Sequence, residues 1–246
     1  MVNQSRVQPE SSINLMKLGI IIAATSVISC GLGLGATYAG NGNVGFGGVI
    51  SSLDITDNGT NVTFVLTRGP GNLNDAFVLY IDSTVGGQNN TGLYTDTGDP
   101  LRLAISGFNG PNRATVNFTS GFGADRALAL NGGFAGLWQT VDGASHNFSQ
   151  TANAAPGGNA QATYSMSVSL ANLGLSPGGS FKFVGTYLDS GNAFRSNEGI
   201  GDGLPATNPG QATVTFTGDR LYTTIPEPAS AVLGLIGSIL LLRRRK

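Results

Sequence analysis

An all-β fold is what this sequence predicts, an antiparallel two-sheet β-sandwich of jelly-roll or immunoglobulin-like type, and three observations point there. Short segments alternate strictly between apolar and polar residues, and Gly, Asn, Asp or Pro bound each of them. The composition, with 38 glycines and only 11 % charged residues, suits turns and strands better than helices. No repeat with a period of about 20 to 50 residues recurs, which sets aside solenoids and propellers.

The 246 residues divide into three parts: 1–39, 40–224 and 225–246. In the first, Met16-Lys17 precedes an apolar run from Leu18 to Ile28, and a small-residue stretch ends in Thr37-Tyr38-Ala39 before Gly40. That is the layout of a secretory signal peptide, a helix removed by signal peptidase with the cut between Ala39 and Gly40. Residues 1–15 are an extended leader start, or Met16 is the true start; both give the same mature protein. A rival route is open, because Val27-Ile28-Ser29-Cys30 resembles a lipobox, in which Cys30 would be lipidated and become the first mature residue. Cys30 is the single cysteine, so the middle can form no internal disulfide and must be held by packing.

The middle is long enough for one domain with a real core. Val62, Phe64 and Leu66 alternate with Thr63 and Thr67, and Ala162 to Leu170 alternates in the same way through Tyr164, Met166 and Val168. Val214 and Phe216 repeat the pattern. Phe77 to Ile81 is apolar throughout, as expected of a central strand covered on both faces. Leu101–Ile105, Ala114–Phe118, Phe134–Val141 and Phe181–Leu188 complete about ten expected strands, with turns at Asp57-Asn58-Gly59 and Pro177-Gly178-Gly179. Residues 171–174 make one helical turn at most.

The last part reads Ile225-Pro226-Glu227-Pro228, an apolar stretch from Ala231 to Leu242, then Arg243, Arg244, Arg245 and Lys246. The stretch is shorter than the roughly 20 residues of a standard spanning helix. The basic cluster resists translocation, which orients the domain outside and the cluster in the cytoplasm. This triplet, short transmembrane helix and terminal basic run resemble the PEP-CTERM sorting signal of Gram-negative bacteria, over about the last twenty-two residues. The resemblance implies an exosortase, a membrane cysteine-type transpeptidase, that cuts near Pro226-Glu227-Pro228 after a transient stay in the inner membrane, and delivery to the cell surface or extracellular matrix. A plain, uncut tail anchor is the alternative.

Within the middle, Asp54-Ile55-Thr56-Asp57-Asn58, the strand from Val62 to Leu66, Phe77 to Asp82, Tyr164 to Leu170 and Gly179 to Phe183 resemble DOMON-like and related carbohydrate-binding sandwiches. Ser196-Asn197-Glu198 before a Gly-rich loop is similar to a stretch found in surface proteins that carry the same tail.

Between Gly40 and Ile225 seven basic residues face twelve acidic ones, a net of about −5 without a basic stripe. Nucleic-acid binding, which rests on phosphate neutralisation, is excluded. The one histidine, His146, reads as structural, and no Gly-x-Ser-x-Gly elbow supports a hydrolase. One His cannot supply a zinc site. Calcium, which needs only oxygen ligands, is the cofactor left open: Asp82, Asp96, Asp99, Glu198 and Asp202 could gather with Asp189 and Asn197 at one edge, although Asp and Asn are also common turn formers. Trp138, the one tryptophan, with Tyr80, Tyr94 and Tyr187, offers a sugar-stacking platform or, preferably, core packing. The expectation is a displayed structural or interaction protein rather than an enzyme, with polysaccharide as an alternative partner.

Overall fold

A computed structural model describes residues 35–226. Residues 1–34, with Met16 and Cys30 of the expected leader, lie outside the described residues, as do Glu227, Pro228 and the apolar and basic tail. Among the described residues no helix is long and apolar enough to cross a membrane.

The elements in chain order are β1 (Ala36–Ala39), β2 (Ile50–Asp57), β3 (Asn61–Arg68), β4 (Ala76–Asp82), α1 (Pro100–Ser106), β5 (Phe108–Asn109), β6 (Asn112–Arg113), β7 (Val116–Asn117), β8 (Arg126–Leu130), β9 (Ala135–Gln139), β10 (Asn147–Asn153), β11 (Thr163–Ser169), β12 (Ser180–Asp189), β13 (Phe194–Ile200), β14 (Val214–Thr215) and β15 (Arg220–Thr223). The smaller sheet runs β1-β2-β3-β11, and the larger runs β10-β9-β8-β4-β12-β13. On its outer edge β12 pairs first with β15 and then with β13, while β4 follows its other edge from Lys182 to Leu188. Every pairing in the two large sheets is antiparallel, so the all-β class is as the alternation predicts.

The two sheets close on one core. Period-2 alternation sends Leu53, Ile55, Phe64, Leu66, Met166 and Val168 inward from the smaller sheet, onto Phe77, Leu79, Ile81, Leu128, Phe181 and Phe183 of the larger. At about 1.5–3 kcal/mol for each fully buried large side chain, this layer is the main source of stability in a domain whose described residues hold no cysteine. The opposite face of the larger sheet is covered as well: Val78, Tyr80, Trp138 and Val184 pack under Leu101, Ile105, Phe118 and Phe216. β4 is therefore buried on both faces, as its unbroken apolar run predicts.

The turn at Asp57-Asn58-Gly59 joins β2 to β3. Asn58 Oδ1 accepts the amides of Thr60 and Asn61, and Gly59 takes φ 79°, open to glycine at little steric cost.

One expected strand is a helix. Leu101–Ile105 lies inside α1, because Pro100 occupies the first turn, the Asp99 side chain caps the amides of Leu101 and Arg102, and Gly107 ends the helix at φ 56°. Residues 171–174 form a hydrogen-bonded turn rather than a helix.

Candidate functional site

Three polar assemblies stand out against the apolar layers. The first lies under α1, where Ser106, His146 and Asp96 are all buried. His146 Nε2 sits 3.2 Å from Ser106 Oγ, the distance of a nucleophile–base pair. The wiring runs the other way. His146 Nδ1 accepts the Val141 amide at 3.3 Å, so its ring proton is on Nε2 and donates to Ser106, whose own hydroxyl donates to the Asp96 carbonyl at 3.0 Å. The Asp96 carboxylate does not touch the ring; it accepts the amides of His146 and Gly98 and faces Arg102 at 3.7 Å. Burial holds the imidazole below its ordinary pKa, opposed by Asp96 and aided by Arg102. As built, the cluster pins α1 and the loop before it to the larger sheet.

The second assembly is built on Ser196-Asn197-Glu198 of β13. The Glu198 carboxylate, fully buried, accepts the amides of Phe46 and Val49 at 2.5 Å each and of Gly48 at 3.1 Å. Asn197 Oδ1 accepts Gly45 N–H, its amide donates to Ala206, and its carbonyl receives the side-chain amides of Asn41 and Asn43. The tripeptide is thus a latch that shapes residues 41–49 some 150 positions earlier, and this use of a carboxylate as an acceptor for converging N–H groups is favourable without any cation.

The third is a surface cleft. A depression of about 330 Å³ lined by Asp82, Thr84, Val85, Lys182 and Leu221 shares Asp82, Thr84 and Val85 with a neighbour of about 340 Å³, which in turn shares Asn89 and Phe122 with one of about 360 Å³ lined also by Asn117 and Thr119. Asp125 sets its rim by accepting the amides and hydroxyls of both Ser83 and Thr84. Asp82 accepts Gly123 N–H at 3.2 Å, and Lys182 Nζ donates to the Gly121 carbonyl at 3.0 Å. Burial, chiefly, and the nearby Asp125 and Asp219 raise the Asp82 carboxyl above its ordinary pKa, against the Gly123 hydrogen bond and Lys182.

The acidic residues expected to gather for calcium are dispersed among other partners. Asp96 and Asp99 meet only at Arg102, which lies 3.1 Å from Asp99. Asp202 forms a two-pronged pair with Arg220 at 2.8 and 2.9 Å, Asp189 bonds its own turn at Gly191 and Asn192, and Glu198 faces N–H donors. Among the described residues no three His, Cys, Asp or Glu side chains come together to hold a metal.

The aromatic platform is likewise not assembled: Trp138, Tyr80, Tyr94 and Tyr187 are all buried, so none offers a ring face to a sugar. Trp138 packs edge-on to Phe148, and its Nε1 is buried with no partner among the described residues. Ala39 is the last residue of β1, and Gly40 continues it by donating to the Ser51 carbonyl at 2.8 Å. Pro226 is exposed at the end of the described chain.

Sequence reasoning gave no sign of Arg195, fully buried beside Tyr80, its Nη2 donating to the Ala114 carbonyl at 2.9 Å while Nε and Nη1 have no partner among the described residues. Burial lowers its pKa. A single arginine in a strand of mixed pattern carries no mark of its depth.

No family model, no curated protein and no solved structure matches the chain.

Proposed function

We propose that this chain is an exported protein whose β-sandwich is displayed at the outer surface, or in the extracellular matrix, of a Gram-negative bacterium. In this reading the leader carries it across the inner membrane, the apolar tail and Arg243–Lys246 hold it there transiently, and an exosortase cuts near Pro226-Glu227-Pro228. The domain then acts as a structural or interaction module, without catalysis or a cofactor.

One observation carries the reading. Among the described residues the last backbone ties are at Ile225: its amide donates to the Asp57 carboxylate at 3.1 Å, and its carbonyl accepts Gly178 N–H at 3.0 Å. Pro226, the next residue, is exposed. A transpeptidase needs an accessible, extended segment, and a cut at the triplet spares every described strand. Over the described residues the chain also crosses between the two sheets three times, from β3 to β4, from β10 to β11 and from β11 to β12, which supports a sandwich of jelly-roll type over a simple meander.

The test is replacement of Pro226-Glu227-Pro228 by alanines in the full chain. The reading expects the variant to stay in the inner membrane with its tail uncut while the native chain reaches the surface; equal surface delivery of both would overturn it.

A second reading, carbohydrate binding, is supported by the polar cleft at Asp82, Asn89 and Asn117, whose amides and carboxyl could bond sugar hydroxyls. It expects retention on a polysaccharide column that Asn117→Ala weakens. No retention on any glycan tested would remove it.

A further inference from the structure

We infer that the leader is cut upstream of Ala36, so that residues 36–39 travel with the exported domain as its first strand. The inference rests on reading the N-terminus as a leader, and it moves the cut away from the Ala39–Gly40 bond.

Thr37-Tyr38-Ala39 satisfies the small-residue rule for signal peptidase, yet the same residues are integral to the fold. β1 pairs with β2 from Ala36 opposite Ile55 to Ala39 opposite Ser52. Thr37 donates its hydroxyl to Asp54. Tyr38, half-buried, sets its ring edge-on to Phe183 of the facing sheet at 4.8 Å, and its hydroxyl donates to the Leu221 carbonyl of β15 at 2.6 Å. The strand continues without a break into Gly40 on Ser51 and Asn41 on Gly199, and from there into the loop latched by Glu198.

A cut after Ala39 would strip β1 and its ties to Asp54, Phe183 and Leu221. β2 would be left with a bare edge from Ser52 to Ile55, whose unpaired amides and carbonyls invite pairing with another chain, and Phe183 would lose the edge-on Tyr38 ring. Upstream, the chain offers small residues at the two positions a peptidase reads, Ser29 with Gly31 and Gly33 with Gly35, directly after the apolar run ends at Ile28. The lipobox-like Val27-Ile28-Ser29-Cys30 falls in the same window. Either enzyme leaves β1 whole.

The experiment is N-terminal peptide mapping by mass spectrometry of the full-length chain, exported from a Gram-negative host, beside its Ala39→Gln variant. Ala39 is exposed on β1, so the substitution leaves the strand intact while a large side chain blocks cutting after residue 39. The expected result is one mature N-terminus between Cys30 and Ala36, unchanged in the variant; an acyl mass on Cys30 assigns the cut to lipoprotein processing, and a plain amine assigns it to signal peptidase. A native N-terminus at Gly40, lost in the variant, overturns the inference and leaves export standing. A secreted chain still beginning at Met1 or Met16 overturns the leader itself.

Discussion

Tyr38 donates its hydroxyl to the carbonyl of Leu221 at 2.6 Å, which ties the first strand of the domain to the last. The same ring packs on Phe183, so one half-buried residue joins both sheets. Tyr38→Phe removes only the hydrogen bond and should lower unfolding free energy by about 0.5–1.5 kcal/mol. Tyr38→Ala also removes the edge-on contact, a further ~0.5–1.5 kcal/mol beyond lost burial. Urea titration of both variants checks the order; an alanine variant as stable as the native chain would mean that β1 is dispensable.

Glu198→Gln should loosen the loop at residues 41–49. The substitution sets an amide group against N–H donors that now converge on a carboxylate, and leaves at least one buried donor unsatisfied, a loss of about 3 kcal/mol. Limited proteolysis reads the effect directly, with cleavage expected between Asn41 and Val49. Stabilisation of the native chain by calcium, abolished in this variant, would instead make Glu198 a metal ligand.

Much of the fold is legible in the amino-acid sequence, and the reason is local. Val62, Phe64 and Leu66 needed only period-2 alternation, and Phe77–Ile81 only an unbroken apolar run. Leu101–Ile105 reads as a strand because a five-residue mixed segment fits strand and helix alike; the deciding signals are its neighbours Asp99, Pro100 and Gly107. Ala36–Ala39 satisfies a peptidase and a strand equally well, so its pattern alone does not separate the end of a leader from β1. The site residues were harder. Glu198 meets partners about 150 positions away and Ser106 meets His146 across 40, and no spacing rule reaches that far.

His146 makes stability depend on pH in a defined sense. Its folded pKa lies below the ordinary value of 6.5, so below that pH the unfolded chain binds the proton more readily. Stability contributed by the neutral ring is present above about pH 6.5 and is lost as pH falls toward the folded value. Denaturant titrations between pH 7.5 and about 5 should show this decline, and His146→Gln, which keeps a donor for Ser106, should flatten it.

Ser106 should be chemically silent. Its hydroxyl is buried and donates to the Asp96 carbonyl, while the histidine beside it donates rather than accepts. A fluorophosphonate probe should leave the native chain unlabelled, and Ser106→Ala should destabilise it by about 1–3 kcal/mol. Labelling lost in Ser106→Ala would reverse this account and place a hydrolase site under α1.

The most direct measurement is the intact mass of the protein recovered from the cell surface, which reads the C-terminus. The expected product is a chain that ends near Pro226-Glu227-Pro228 and lacks Ala231–Lys246. A surface-located chain that still carries Arg243, Arg244, Arg245 and Lys246 would contradict it.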